Sequence, residues 1–293
     1  GAPGEMVETP KGTVLVDHVD EPYLVVENLV SLTDPTVRAL ADGGFEIYYA
    51  RLDRDGRSEI WRQRLESLEE RPSTGPQLIL APTLAWEGDV VGEPALVEDP
   101  DGTLYLYYRG GGDEPGIARA VSRNGGESFE REDGDEPLVR GLVEPGLARL
   151  DDQWVLVAAD SEGHSVRWLD SQDGVVFGGE RVLLEPRFGD PVAFDRDRVG
   201  DPALHVTRSD RGDLHYGLFY TGVVLDQETE LAGIGYLGSF DGLRWQRGLS
   251  GLPVLEDLQG VSAAAPIIRQ TDAFLFVHQL RAGRGRIAVG TSP

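Results

Sequence analysis

The chain has 293 residues, with 27 Lys or Arg against 51 Asp or Glu and a formal net charge of −24. That balance argues against nucleic acid, whose phosphates need a basic groove, and against an anionic membrane surface. There is no Cys, so neither a disulfide nor a thiolate site can form, and no run approaches the ~18 apolar residues of a membrane insertion.

The charge reads as a solubilising coat, with high-salt adaptation as the alternative. The chain opens on Gly1-Ala2-Pro3-Gly4-Glu5, without Met and without a secretory signal pattern. The expectation is an extracytoplasmic protein whose export signal has been removed; a cytoplasmic one is the alternative. Apolar runs follow at Gly12-Thr13-Val14-Leu15-Val16 and Tyr23-Leu24-Val25-Val26.

A repeating unit then begins. Thr33-Asp34-Pro35-Thr36-Val37 leads through Asp42-Gly43-Gly44 into Phe45-Glu46-Ile47-Tyr48-Tyr49. The segment Ile60–Leu68 has some helical periodicity, but it falls where a third strand is due and is read as strand. The second unit is Gly92-Glu93-Pro94-Ala95-Leu96-Val97, an Asp101-Gly102 turn, then Leu104-Tyr105-Leu106-Tyr107-Tyr108-Arg109. Gly116–Ser122 alternates as its third strand, Asn124-Gly125-Gly126 is a hairpin signal, and Phe129 marks a short fourth. Val143-Glu144-Pro145-Gly146-Leu147 opens the third unit and Gly200-Asp201-Pro202-Ala203-Leu204 the fourth, with Asp241-Gly242 and Trp245 near its outer edge. A degraded fifth reads Ala265-Pro266-Ile267-Ile268, then Phe274-Leu275-Phe276-Val277.

The spacings between Pro35, Pro94, Pro145, Pro202 and Pro266 are 59, 51, 57 and 64 residues, in the range of a four-stranded propeller blade. The fold class is therefore all-β: a single five-bladed β-propeller with four-stranded antiparallel blades, over 1–293. The blades fall roughly at 31–82, 90–138, 141–186, 198–250 and 262–293. The last has three strands, so a strand within 12–28 is expected to close it and remove an open edge. Proline suits a strand start, where no ladder donor is needed, and the residue before it is expected to be extended.

Asp34, Glu93, Glu144 and Asp201 share one phase, with Ala264 or Ala265 in the fifth blade. Singly, an acid before Pro caps a strand by bonding nearby amides. Four carboxyls at the mouth of one channel repel, which a fold tolerates where a cation, a ligand or shared protons offset the charge.

Asp34-Pro35-Thr36-Val37, Tyr105-Leu106-Tyr107-Tyr108 and the Ala120–Phe129 segment resemble the five-bladed propeller glycosidases, a superfamily that includes glycoside hydrolase families 43, 32, 62, 68 and 130. The resemblance spans about Ser31 to Thr291. It implies cleavage of a furanoside or pyranoside of an oligo- or polysaccharide by inner-strand carboxyls. Such cleavage needs one protonated and one ionised carboxyl. By resemblance Asp34 matches the base or nucleophile, Glu144 the pKa-tuning acid, Asp201 the general acid and Glu93 a sugar contact. The usual Asp of the tuning role and Glu of the acid role are exchanged between Glu144 and Asp201, so Glu144 is the alternative acid. Two other activities stand beside hydrolysis: a non-catalytic carbohydrate-binding propeller, and phosphorolysis of mannosides if Arg109, Arg140 and Arg198 converge on a phosphate.

Trp86, Arg140 and Arg198 lie on loops expected to ring the mouth, Trp86 to stack on a sugar and the arginines to bond hydroxyls or pair the acids. Arg109 and Arg38 are further candidates to offset the acids. The histidines His18, His164, His205, His215 and His278 lack metal-pair spacing, which excludes a zinc site. No cofactor is required. A calcium ion in the channel, with His278 or His205 beside it, is the one metal the resemblance implies.

Overall fold

The computed structural model describes residues 31–292 except 54, 69–71, 112–113, 133, 210, 227–228, 257–260, 269–272 and 282–283, together with a hairpin of Glu5–Thr9 and Gly12–Val16. Five antiparallel sheets follow one another. Blade 1 comprises Ser31–Ala39, Phe45–Leu52, Ser58–Leu65 and Gln77–Leu80. Blade 2 comprises Val91–Glu98, Leu104–Gly110 and Gly116–Ser122, and two short pieces, Glu130–Arg131 and Val139–Arg140, share its outer edge. Blade 3 is Leu142–Leu150, Gln153–Asp160, Val166–Ser171 and Gly178–Leu184. Blade 4 is Arg198–Arg208, Leu214–Asp226 and Thr229–Ser239, edged by Gln246–Arg247 and Leu255–Glu256. Blade 5 has the three strands Val261–Ile268, Ala273–Arg281 and Arg284–Ser292. Blades 2 and 4 thus run past the expected limits at 138 and 250, because their outer edges are split in two. The segment 58–65 is a strand, as read from its place in the repeat.

Bulky residues, most of them on second and third strands, fill the spaces between blades. One apolar cluster lies between each consecutive pair, and a fifth joins blade 5 to blade 1 through Phe276, Ile287 and Val289 against Leu32, Phe45 and Ile47. Phe45 meets Phe274 and Phe276 with ring centroids 5.1 and 5.6 Å apart. The ring therefore closes by side-chain packing. Gly12–Val16 pairs with Glu5–Thr9 in a two-stranded sheet of its own, and 23–26 lies outside the described residues, so the expected N-terminal fourth strand of blade 5 is not seen. Tyr48, Tyr107, Tyr108 and Tyr220 are fully buried, and their hydroxyls bond Glu46, the Gly174 carbonyl, Glu87 and Asp195. This is the packing role their strand positions suggest.

The outer hairpins of blades 2, 3 and 4 repeat a turn. Ser122, Ser171 and Ser239 Oγ accept the N–H of Gly126, Gly174 and Gly242 at 2.9, 2.9 and 3.0 Å. Asp173 and Asp241 Oδ1 then accept two further amides each.

Candidate active site

Every inner strand is bulged at one place. In blade 1 the ladder runs from Thr33 opposite Ala50 to Thr36 opposite Tyr48, so Asp34 and Pro35 together face Tyr49. The same skip places Glu93-Pro94, Glu144-Pro145, Asp201-Pro202 and Ala263-Ala264 against one partner residue each. The extra residue of a bulge makes no ladder bond, which is why proline fits there. The first bulge residue is left-handed in all five blades: φ is 52° at Asp34, 49° at Glu93, 55° at Glu144, 45° at Asp201 and 50° at Ala263. Two expectations are corrected. The acids before proline are not extended, because the bulge turns them toward the pore. The fifth equivalent is Ala263, not Ala264 or Ala265, and Pro266 lies two residues beyond the proline phase of the other blades.

The four acids line one axial channel together with Ala263. Glu144 and Asp201 also line a larger cavity of about 460 Å³ at the mouth, with Thr221, Ser262, His278, Arg198, Glu230 and the Asp160–Gly163 turn. Hydrogen bonds run from blade to blade. Glu93 Oε2 accepts the Glu144 N–H at 2.7 Å, and Glu144 Oε2 accepts the Asp201 N–H at 2.6 Å. The Ala263 N–H donates to Thr221 Oγ1 at 3.1 Å. A Cβ at Gly200 would lie 2.5 Å from Glu144 Oε2, so glycine leaves room for that carboxyl. Ala263 has no carboxyl to continue the series. Asp34 accepts from Thr33 Oγ1 at 2.7 Å instead.

Burial in the narrow pore wall raises the proton affinity of Asp34, Glu144 and Asp201, and repulsion adds to it. Asp34 is held well above the usual carboxylate range by burial, then by Asp201 and Glu93, with Thr33 and Arg109 pulling the other way. Glu144 is likewise held well above its ordinary value by burial, then by Asp201, Glu93 and Asp34, against the Asp201 N–H. Asp201 rises to about 6 through burial, with the Thr221 hydroxyl and the Ala263 N–H opposing and Glu93 and Glu230 adding.

The basic candidates disperse. Arg109 Nη1 bonds Glu93 Oε1 at 2.8 Å and is the one guanidinium, among the described residues, bonded to an acid of the ring. Arg198 lines the mouth cavity and is paired with Glu230. Arg140 pairs with exposed Glu136, and Arg38 with Glu46 and Glu98; neither lines these two cavities. The phosphate pocket of three convergent arginines is not formed. Trp86 does not line them either. Its ring stacks on Tyr108 at 6.4 Å and covers Gly110, where a Cβ would sit 2.6 Å from the indole.

His278 Nδ1 lies 2.9 Å from Ser262 Oγ, and burial pushes its pKa down to about 4, so it faces the cavity neutral. His205 packs in a triangle of rings with Phe219 and Tyr236, its centroid 5.6 and 6.1 Å from theirs. Among the described residues no group of three or more His, Asp or Glu side chains is disposed to hold a metal.

Residues absent from the sequence reading also shape the site. Thr221, Ser262 and Glu230 line the mouth. Phe188 is 64% exposed and meets His164 edge-on at 6.4 Å, next to the turn that lines the cavity. Its loop is pinned by Asp195, fully buried, which accepts from Arg187 Nε at 2.6 Å, Tyr220 at 2.8 Å and Arg247 at 3.3 Å. Glu87 does the same in blade 2, with Arg131 and Tyr108. In sequence both are visible as an acid six residues before the bulge acid.

No family model and no curated relative matches the chain. Solved structures do. BT0996, in a complex with RGII, aligns with a TM-score of 0.70 at 17% identity, over 98% of this chain and 92% of that one. An α-L-arabinofuranosidase from Lactobacillus brevis gives 0.67 at 14%, over 90% and 91%. An endo-arabinase from Bacteroides thetaiotaomicron gives 0.66 at 11%, over 94% and 97%. At these identities the likeness shows the fold, a five-bladed propeller of the kind found in glycoside hydrolases.

Proposed function

We propose that this propeller, alike in fold to glycoside hydrolases, cleaves a glycosidic bond of an oligo- or polysaccharide at the mouth cavity. The observation that carries the reading is that two carboxyls from adjacent blades, Glu144 and Asp201, face that cavity together, each held above its ordinary proton affinity by burial. Glu144 is ringed by like charges and keeps its proton. Asp201 has the Thr221 hydroxyl and the Ala263 amide nearby, which favour the ionised form. Glycoside cleavage needs this pair. Glu144 gives its proton to the leaving oxygen, and Asp201 takes the proton of the attacking water or bonds the anomeric carbon itself. Asp34 lines only the axial channel and acts through repulsion on its neighbours. Proteins of similar fold include enzymes named for arabinose polymers and one complexed with RGII, which makes arabinofuranosides and RGII the first substrates to test.

The test is reducing-end release from a panel of arabinans, xylans, fructans and RGII oligosaccharides by the wild type and three variants. Glu144→Gln and Asp201→Asn should each lose about 100-fold or more in turnover, and Asp34→Asn should keep most of it. Loss in Asp34→Asn with retention in Asp201→Asn would give the ionised role to Asp34, as the resemblance implies, and defeat this assignment. A second reading has an observation of its own. The acids bond backbone amides of the next blade, a structural use that a sugar-binding propeller without catalysis would share. Calorimetric binding of a panel sugar with no reducing ends over days would favour it.

A further inference from the structure

The bulge amides of blades 3, 4 and 5 are each held from the blade before. Glu93 Oε2 accepts the Glu144 N–H at 2.7 Å, Glu144 Oε2 accepts the Asp201 N–H at 2.6 Å, and Thr221 Oγ1 accepts the Ala263 N–H at 3.1 Å. The first of these acceptors is itself clamped. Arg109 stands opposite Gly92, the residue before the bulge of blade 2, and its Nη1 donates to Glu93 Oε1 at 2.8 Å. The Glu93 carboxyl therefore has one oxygen on a guanidinium and the other on an amide. It cannot rotate or swing away without breaking a charge-assisted bond. The two side chains are 29% and 14% exposed, which limits screening by water. Side-chain length matters as well: Asp34, one methylene shorter than Glu93, bonds Thr33 in its own strand instead.

We propose that Glu93, clamped by Arg109, is a positioning residue that sets the direction in which the Glu144 carboxyl enters the mouth cavity. Glu93 lines the axial channel, whereas Glu144 and Asp201 are the ring acids at the mouth. What Glu93 holds is the N–H of a bulge residue, a group with no ladder partner of its own. Fixing that amide fixes the turn of the bulge, and with it the side chain. The hold passes one blade further, because Glu144 in turn holds the Asp201 amide. Two hydrogen bonds in series from one clamp thus set the spacing of the two mouth carboxyls, the quantity on which glycoside cleavage depends. This replaces the sugar contact that the resemblance implies for Glu93. The consequence for turnover rests on the hydrolase reading; the geometry does not.

The test uses Glu93→Asp, which keeps a charge for Arg109 and gives up the reach, with Arg109→Met, which removes the clamp, and Arg109→Lys, which returns a charge. Two readouts are taken: kcat and KM on the substrate panel, and the NMR shift and hydrogen exchange of the Glu144 amide proton. In the wild type that proton should lie downfield of ordinary amides and exchange slowly, a check that needs no variant to fold. In Glu93→Asp kcat should fall about 10- to 100-fold with KM within about twofold, and the Glu144 amide should move upfield and lose its protection. Arg109→Met should move both readouts the same way by less, and Arg109→Lys should bring them back toward the wild type. A raised KM with unchanged kcat in Glu93→Asp would make Glu93 a sugar contact and overturn the proposal. So would unchanged kinetics in a folded Glu93→Asp, or a wild-type Glu144 amide that exchanges freely. Failure of every substrate in the panel would sink the hydrolase reading and leave the amide readouts to decide this one.

Discussion

Replacing Asp201 with Asn should stabilise the protein while it removes turnover. The folded environment raises the Asp201 pKa from 3.8 to about 6, so the native state holds this proton more tightly than the unfolded chain does. Stability from this group is complete below about pH 4 and is lost as pH rises through about 6. The shift of about 2 units corresponds to roughly 3 kcal/mol of ionisation cost at neutral pH. Asn avoids that cost but gives up about 1 kcal/mol of polar contacts that a carboxylate makes in the wall. The net gain, about 2 kcal/mol, should raise the melting temperature by about 4 °C at pH 7.5. Scanning calorimetry from pH 4 to 8 on both proteins measures it. The difference should vanish near pH 4. A variant that melts at or below the wild type at pH 7.5, or a gap that does not change with pH, would refute the electrostatic account of the ring.

Two further substitutions separate scaffold from site. Glu87→Ala strips the acceptor from Arg131, Tyr108 and the amides of Thr83 and Leu84. The uncompensated buried guanidinium should cost about 3–5 kcal/mol, read as a large fall in the denaturant midpoint with activity per folded molecule retained; a midpoint within error of wild type would contradict it. Phe188→Ala should raise KM several-fold with kcat unchanged, and Phe188→Trp should restore affinity, if the exposed ring is a platform for a sugar. Equal KM values across the three would leave Phe188 as a surface residue.

The acid–proline pairs made the repeat legible because they mark a backbone event, not because they mark strand starts. An acid and a proline side by side satisfy a bulge: the proline needs no ladder donor, and the acid swings to the pore. Where Ala263-Ala264 occupies the same bulge the composition is silent, and Pro266 drew the phase two residues off. Phase along a strand was therefore readable, but backbone conformation was not, and the extended geometry expected before proline gave way to φ near +50°. Side chains that reach across blades were harder still. With 51 acids in the chain, Arg38 and Arg140 had many partners within reach, and nothing local in sequence separates them from Arg109. Thr221 becomes visible only once the register sets it opposite Gly200, beside the bulge.

Left-handed backbone at a bulky residue is often a mark of function, since it costs on the order of 1–3 kcal/mol and tends to survive where chemistry needs it. Here that inference fails for the backbone and holds for the side chains. Ala263 adopts the same conformation as the four acids, so the strain belongs to the propeller, which makes five equivalent pointers whatever residue stands there. Chemistry enters with what each pointer carries. Four carboxyls with one bonded guanidinium, Arg109, cannot all ionise cheaply in a buried wall. Protons must then reside on some of them at neutral pH, and the donors decide where. Glu93 has Arg109, Asp201 has the Thr221 hydroxyl near it, and Glu144, with a single amide at 2.6 Å, is left among three like charges. The uneven distribution of donors around a symmetric set of bulges is what turns a repulsive ring into an acid beside a base.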